Sequence, residues 1–126
     1  AIKKHLIENN YDIIDYGTDS AASVDYPIYA RKAAKAVASG QCDKGIVCCG
    51  TGIGVSITAN KEKGIRCALC TNEFMAEMAK RHNNANMLAF GARITPVEDV
   101  LKMVDIWLNA AFEEGRHQRR IDLIEM

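Results

Sequence analysis

Apolar positions along the chain fall into two spacings. In some stretches they recur every three or four residues, as on one face of a helix; in others they stand together in short runs closed by turn formers, as in buried strands. Residues 1–9 read as the tail of an amphipathic helix ending near Asn9-Asn10. Tyr11–Tyr16 reads as a strand closed by Gly17, followed by a loop containing Asp19, Ser20 and Ser23. Pro27 opens a helix that runs to about Ser39 and stops at Gly40. Lys44–Cys49 is a buried strand, broken by Gly50-Thr51-Gly52-Ile53-Gly54, and a helix follows from about Ile53 to Lys61. Ile65–Cys70 is the next strand, and Asn72–Asn83 a helix with Asn72 suited to cap it. Asn86–Phe90 is a further strand, and Pro96–Ala111 a long helix with Val97, Val100, Leu101, Val104 and Leu108 on one side. From Gly115 the chain becomes a basic tail with Arg116, His117, Arg119 and Arg120, then a short apolar end.

Short strands alternating with longer helices predict a Rossmann-like α/β fold. The expected form is an open parallel sheet with helices on both faces, a C-terminal helix and the basic tail. No linker or repeat interrupts the alternation, so residues 1–126 are expected to form one domain. Ligands of such sheets bind beyond the carboxyl ends of the strands. Cys49 and the glycine run lie at such an end.

Composition narrows the field. Sixteen basic and 16 acidic residues leave a formal net charge of zero, so no global field points to nucleic acid or a membrane surface. No apolar run approaches the roughly 20 residues that a membrane span requires, and the opening residues do not follow a secretory signal pattern. Five cysteines are an odd number for a disulfide framework. Cys67 and Cys70 form a CxxC, but inside a strand; residues three apart there face opposite ways, which argues against a shared metal or an easy bridge. No metal is expected. Reduced thiols in the cytoplasm are the expectation.

A strand, alternate glycines and a helix start make an anion-binding device: the glycines allow a tight turn, and the first amides of the helix face negative charge. The loop is not a Walker loop, since GxxxxGK[ST] is absent, and Val55 breaks GxGxxG. A thiol just before a helix N-terminus has its thiolate favoured, which suits a general base. Neighbouring strand residues face opposite ways, so at most one of Cys48 and Cys49 points into a given site; spacing leaves open which.

Several motifs together resemble one family. Cys49-Gly50-Thr51-Gly52-Ile53-Gly54, followed by Ile57, Ala59-Asn60-Lys61 and Gly64-Ile65-Arg66, is similar to the central signature of the ribose-5-phosphate isomerase B family. Asp25-Tyr26-Pro27, His82-Asn83-Asn84-Ala85-Asn86, Phe90-Gly91-Ala92-Arg93 and Gly115-Arg116-His117-Gln118-Arg119-Arg120 extend the match over essentially the whole chain. The resemblance implies an aldose–ketose isomerase that interconverts ribose 5-phosphate and ribulose 5-phosphate without metal or organic cofactor. One group moves a proton between C1 and C2 through a cis-enediolate, and by position that group is Cys49. Some relatives use a glutamate where this chain has Val55, so the chain falls with the cysteine type.

The same resemblance assigns the amides of Gly50, Thr51, Gly52, Ile53 and Gly54 to the enediolate oxygens, with the Thr51 hydroxyl assisting. His82 matches the acid that opens the furanose ring. Asn83 matches a position that binds sugar hydroxyls, Arg93 one that binds substrate, and Arg116 and Arg120 those that hold the phosphate; Tyr26 is expected to line the pocket. It also implies a homodimer, or a dimer of dimers, whose active sites borrow the His82 segment and the arginine tail from the partner subunit.

Two departures stand out. The family pattern begins with one more strand and an Asp-His loop ahead of the helix at Ala1, and a truncated sequence is the expected reason; a chain that is this short in nature is expected to be a weak or inactive isomerase. Glu114 stands where relatives carry glycine. Isomerases of allose 6-phosphate or galactose 6-phosphate are the nearest alternatives, the latter usually altering HNNAN or the arginine tail. A non-catalytic sugar-phosphate or nucleotide binder would have no use for a thiol and an imidazole together, and a thiol redox protein would place CxxC at a helix start.

Overall fold

The structure, a computed structural model, describes residues 1–17 and 25–126. The expected loop residues Asp19, Ser20 and Ser23 lie outside the described residues. The elements run α1 (Ile2–Glu8), α2 (Tyr26–Ala38), β1 (Gly45–Cys49), α3 (Ile53–Asn60), β2 (Cys67–Leu69), α4 (Glu73–Arg81), β3 (Met87–Gly91), α5 (Val97–Asn109) and α6 (Arg116–Ile124). All strand pairings are parallel, in the order β1-β3-β2, with Gly45 and Cys67 both opposite Met87 and Cys49 opposite Gly91.

The central strand explains the layering. Every residue of β3 is buried, as expected where helices cover both faces of a sheet. Leu88 and Phe90 face α4 and α5, in a core with Val100, Met103, Val104 and Trp107, against which Ile2 and Leu6 of α1 pack. Met87 and Ala89 face α2 and α3, where Ala30, Ala34 and Ala59 allow close approach to Val47 and Val55. Trp107 is fully buried and its indole N–H donates to the Ala85 carbonyl at 2.9 Å, so the ring is buried without leaving its polar atom unpaired. Asn72 caps α4 as expected, its side chain accepting from the Met75 amide at 2.9 Å.

The strand expected at Tyr11–Tyr16 does not form. A groove lined by Tyr11, Ile13 and Tyr16 on one side and Ile46 and Cys48 on the other separates it from β1. A run of β formers becomes a strand only beside an edge that takes its hydrogen bonds, and β1 is out of its reach. β2 is also shorter than the expected Ile65–Cys70. The Ile65 amide closes a turn onto Glu62, and the Arg66 amide donates to the Asn86 side chain at 2.8 Å, so the ladder starts at Cys67. Asn60 then acts as a substitute strand: its side chain accepts from the Cys67 amide at 2.7 Å and donates to the Cys67 carbonyl at 2.9 Å. The basic tail is no tail but helix α6, seated through buried His117 and Ile121, four residues apart on one face.

Candidate active site

The glycine run connects the carboxyl end of β1 to the start of α3, pressed against the carboxyl ends of β3 and β2. Gly52 caps the helix with φ of 81°, a backbone state that side chains disfavour, and a Cβ there would stand 2.5 Å from Leu69 Cδ1 and 2.8 Å from the Phe90 carbonyl carbon. A Cβ on Gly91 would stand 2.5 Å from the Thr51 carbonyl. The loop lies directly on the central strand because these positions carry no side chain.

The structure separates the adjacent thiols. Cys49 packs on the α2–α3 side, and its Sγ accepts the Gly52 amide at 3.2 Å. Burial raises the pKa of this thiol, but the amides of Val55, Thr51 and Gly52 and the Thr51 side chain outweigh it, and the net direction is down. Cys48 turns to the groove beside β1; although part of its surface opens there, desolvation and the neighbouring Cys49 push it up to about 11. Cys67 and Cys70 belong to cores on opposite faces of the sheet, and burial pushes them to about 12 and about 11. Of these four, Cys49 alone is favoured as thiolate.

Other expected residues gather around it. The Thr51 hydroxyl accepts the Ile53 amide at 3.2 Å, holding the turn shut. The Arg93 amide donates to the Gly50 carbonyl at 3.0 Å, and its side chain lies across Gly50, with Nε 3.3 Å from where a Cβ would stand. The Tyr26 hydroxyl occupies the space left by the missing side chain of Gly54. A lowered thiol, helix-start amides, a guanidinium and a phenol thus share one rim.

His82, Asn83, Arg116 and Arg120 do not join them within this chain. Cys49 and Gly91 end their strands together, whereas His82 and Asn83 follow α4 and lie at the opposite, amino end of β3. Arg66, just before β2, ties that end together: Nε donates to the Asn83 carbonyl at 3.0 Å, Nη2 to the Asn84 carbonyl at 2.9 Å, and Nη1 to Glu125 of α6 at 2.8 Å. The five residues of β3 put about 13 Å between its two ends, at a rise of roughly 3.3 Å per residue.

Sequence reasoning gave no role to three members of this second cluster, Glu113, His117 and Arg81. Glu113 Oε1 faces Nε2 of His82 at 3.5 Å and Nε2 of His117 at 3.4 Å, and Glu113 Oε2 pairs with Arg81 at 2.6 Å. The imidazoles of His82 and His117 stack with centroids 4.1 Å apart and planes 9° apart. The four-residue step from Glu113 to His117 was the available signal, hidden among arginines. The donor atoms of His82, Glu113 and His117 lie within 4.8 Å of one another. Arg81 already holds the carboxylate, so the cluster reads as an ion-pair network. Burial tends to raise the Glu113 carboxyl, but Arg81, His82 and His117 outweigh it and hold it below its usual range. Burial lowers His117, helped by His82, Arg116 and Arg120 and opposed by Glu113. Arg116 and Arg120 are exposed, and neither forms an ion pair among the described residues.

An open parallel sheet with a lowered thiol over helix-start amides at its carboxyl edge defines a class of α/β proteins built to act on small anionic ligands. The chain is matched over residues 1–124 by the family described as Ribose/Galactose Isomerase, and it belongs to that family. It is 47% identical over 123 residues to ribose-5-phosphate isomerase B of Escherichia coli (strain K12), covering 98% of this chain and 83% of that protein. A solved ribose-5-phosphate isomerase B of Clostridium thermocellum superposes with a TM-score of 0.97 at 51% identity, covering 98% of this chain and 84% of that one. That of Mycoplasma genitalium, solved with bound ribulose-5-phosphate, superposes with a TM-score of 0.94 at 42% identity, over 98% of this chain and 83% of that one.

Proposed function

We propose that residues 1–126 act as one sugar-phosphate isomerase domain that interconverts ribose 5-phosphate and ribulose 5-phosphate, with Cys49 as the base. The observation that carries this reading is the Cys49 Sγ accepting the Gly52 amide at 3.2 Å, with its pKa lowered at the mouth of a glycine loop. The thiolate takes the proton from C2 of the open-chain aldose and the electrons move onto the C1 carbonyl oxygen, giving a cis-enediolate. The C2 hydroxyl proton passes to the C1 oxygen, and return of the abstracted proton from the Cys49 thiol to C1 leaves the carbonyl at C2. The loop amides and the Thr51 hydroxyl meet the oxygens where charge develops; one such donor is worth about 2.7–4 kcal/mol of barrier. Arg93 and Tyr26 line the same rim.

His82 supplies the ring-opening acid, Asn83 binds sugar hydroxyls, and Arg116 and Arg120 hold the phosphate through planar forks of donors. Because these groups stand at the far end of the sheet from Cys49, a complete site joins two copies of the chain. A homodimer is therefore part of the proposal. All five cysteines are free thiols, which supports action in the cytoplasm. Among the described residues, no helix is long and apolar enough to cross a membrane.

The test follows ketose formation from ribose 5-phosphate, with allose 6-phosphate and galactose 6-phosphate alongside. Ribose 5-phosphate is expected to turn over fastest. A preference for either six-carbon sugar would move the chain to that activity, and binding without turnover would make it a sugar-phosphate binder.

A further inference from the structure

Glu113 has no role in the reaction as drawn, yet it is held more firmly than an exposed loop residue needs to be. Its amide donates to the Arg81 carbonyl at 2.9 Å, closing the end of α4, and its Oε2 pairs with Arg81 Nη2 at 2.6 Å. Both anchors turn the remaining oxygen, Oε1, toward Nε2 of His82 at 3.5 Å and of His117 at 3.4 Å. The His117 ring, buried and stacked at 4.1 Å, closes one face of His82. The imidazole of His82 thus has one face covered and one edge against a carboxylate.

We infer that Glu113 is a positioning residue for His82, holding Nε2 toward its carboxylate so that Nδ1 is left to meet substrate, and stabilising the imidazolium that donates a proton in ring opening. The inference rests on the ring-opening role proposed above. In that step the bond between C1 and the ring oxygen breaks. The imidazolium proton goes to the ring oxygen, the C1 hydroxyl proton goes to water as the aldehyde forms, and solvent reprotonates the imidazole.

The surrounding charges give the carboxylate its importance. From α4, Arg81 and Glu77 face this corner, paired with each other at 3.3 Å. From α6 come Arg116, His117 and Arg120. Glu113 brings a carboxylate into contact with the His82 ring. His117 shares the same oxygen, and burial, His82 and the two α6 arginines oppose a charge on it. A hydrogen bond longer in the free enzyme than in its working complex is common for such pairs.

The experiment compares wild type with Glu113→Gln, which keeps size and hydrogen bonding and removes the charge. Two rates are read: ketose formation from ribose 5-phosphate across pH, and solvent deuterium exchange at C1 of ribulose 5-phosphate, which has no ring to open. Without the negative charge the proton donor loses its partner, so ribose 5-phosphate turnover falls on its high-pH limb. Turnover on that limb falls about tenfold, the equivalent of one pH unit, while exchange is unchanged. In a His82→Ala background the Glu113→Gln change adds nothing. A superimposable pH profile, an equal loss in both rates, or an additive loss in that background overturns the inference. A folded wild type that carries out exchange but shows no limb dependent on His82 removes this inference alone; one inert in both assays removes the isomerase reading and this inference with it.

Discussion

The Sγ of Cys49 accepts the amide proton of Gly52 at 3.2 Å, so the residue that ends β1 is bonded to the residue that caps α3. The bond closes the turn, and it also gives a thiolate a donor at the positive end of a helix.

The first prediction follows from that pairing. Cys49 is expected to be alkylated by iodoacetamide near neutral pH well before Cys48, Cys67 or Cys70, whose thiols are pushed to about 11 to 12. Mass mapping of the modified peptides against time and pH reads the order directly. Cys49→Ala is expected to lower turnover by about 10²–10⁴-fold, the usual worth of a general base, with the melting temperature little changed. Simultaneous labelling of Cys48 and Cys49, or a fully active alanine variant, contradicts the assignment.

The contact between Gly91 and Thr51 supplies a second prediction. A Cβ at position 91 would meet the Thr51 carbonyl at 2.5 Å, and main chain cannot swing aside as a side-chain end can. Gly91→Ala is expected to cost about 1–3 kcal/mol, as overpacking usually does, and to lift the glycine loop off the sheet. The lift takes the Gly52 amide away from Sγ, so alkylation of Cys49 at neutral pH slows in the same variant. Thermal melting and labelling should change together; normal labelling in a destabilised protein would show that the loop had not moved.

The third concerns the departure from the family pattern just before α6. Glu114 has φ of 63°, in the left-handed region, followed by Gly115 at 59°. A non-glycine residue there is disfavoured by roughly 1–2 kcal/mol, partly offset because glycine gains more freedom when unfolded. Glu114→Gly is therefore expected to stabilise the chain by about 0.5–1 kcal/mol, raising the melting temperature by a few degrees. A lower melting temperature would mean that the Glu114 side chain has a compensating partner.

Much of this fold was legible in the order of residues. The α2–β1–α3 unit and the α4–β3–α5 unit follow from local periodicity, a proline at a helix start and an asparagine cap, all of which act within a few residues. The helical state of the last segment was harder to read, because α6 owes its place to His117 and Ile121 finding a surface provided by distant elements. Tyr11–Tyr16 failed in the opposite way. Its composition favours a strand, but pairing is a property of two segments, and a groove separates it from β1.

The candidate site divides along the same line. Sequence by itself determined the glycine loop, the thiol beside it and the family motifs, because tight turns and helix starts are coded locally. Only tertiary structure decided that Cys49 and not Cys48 meets the loop amides, that Arg93 lies across Gly50, and that Glu113 reaches His82. It also decided that the His82 cluster stands at the other end of the sheet from the thiol. Those relations depend on strand register and helix packing, which are set by burial between segments far apart in the chain, and no short-range pattern records them.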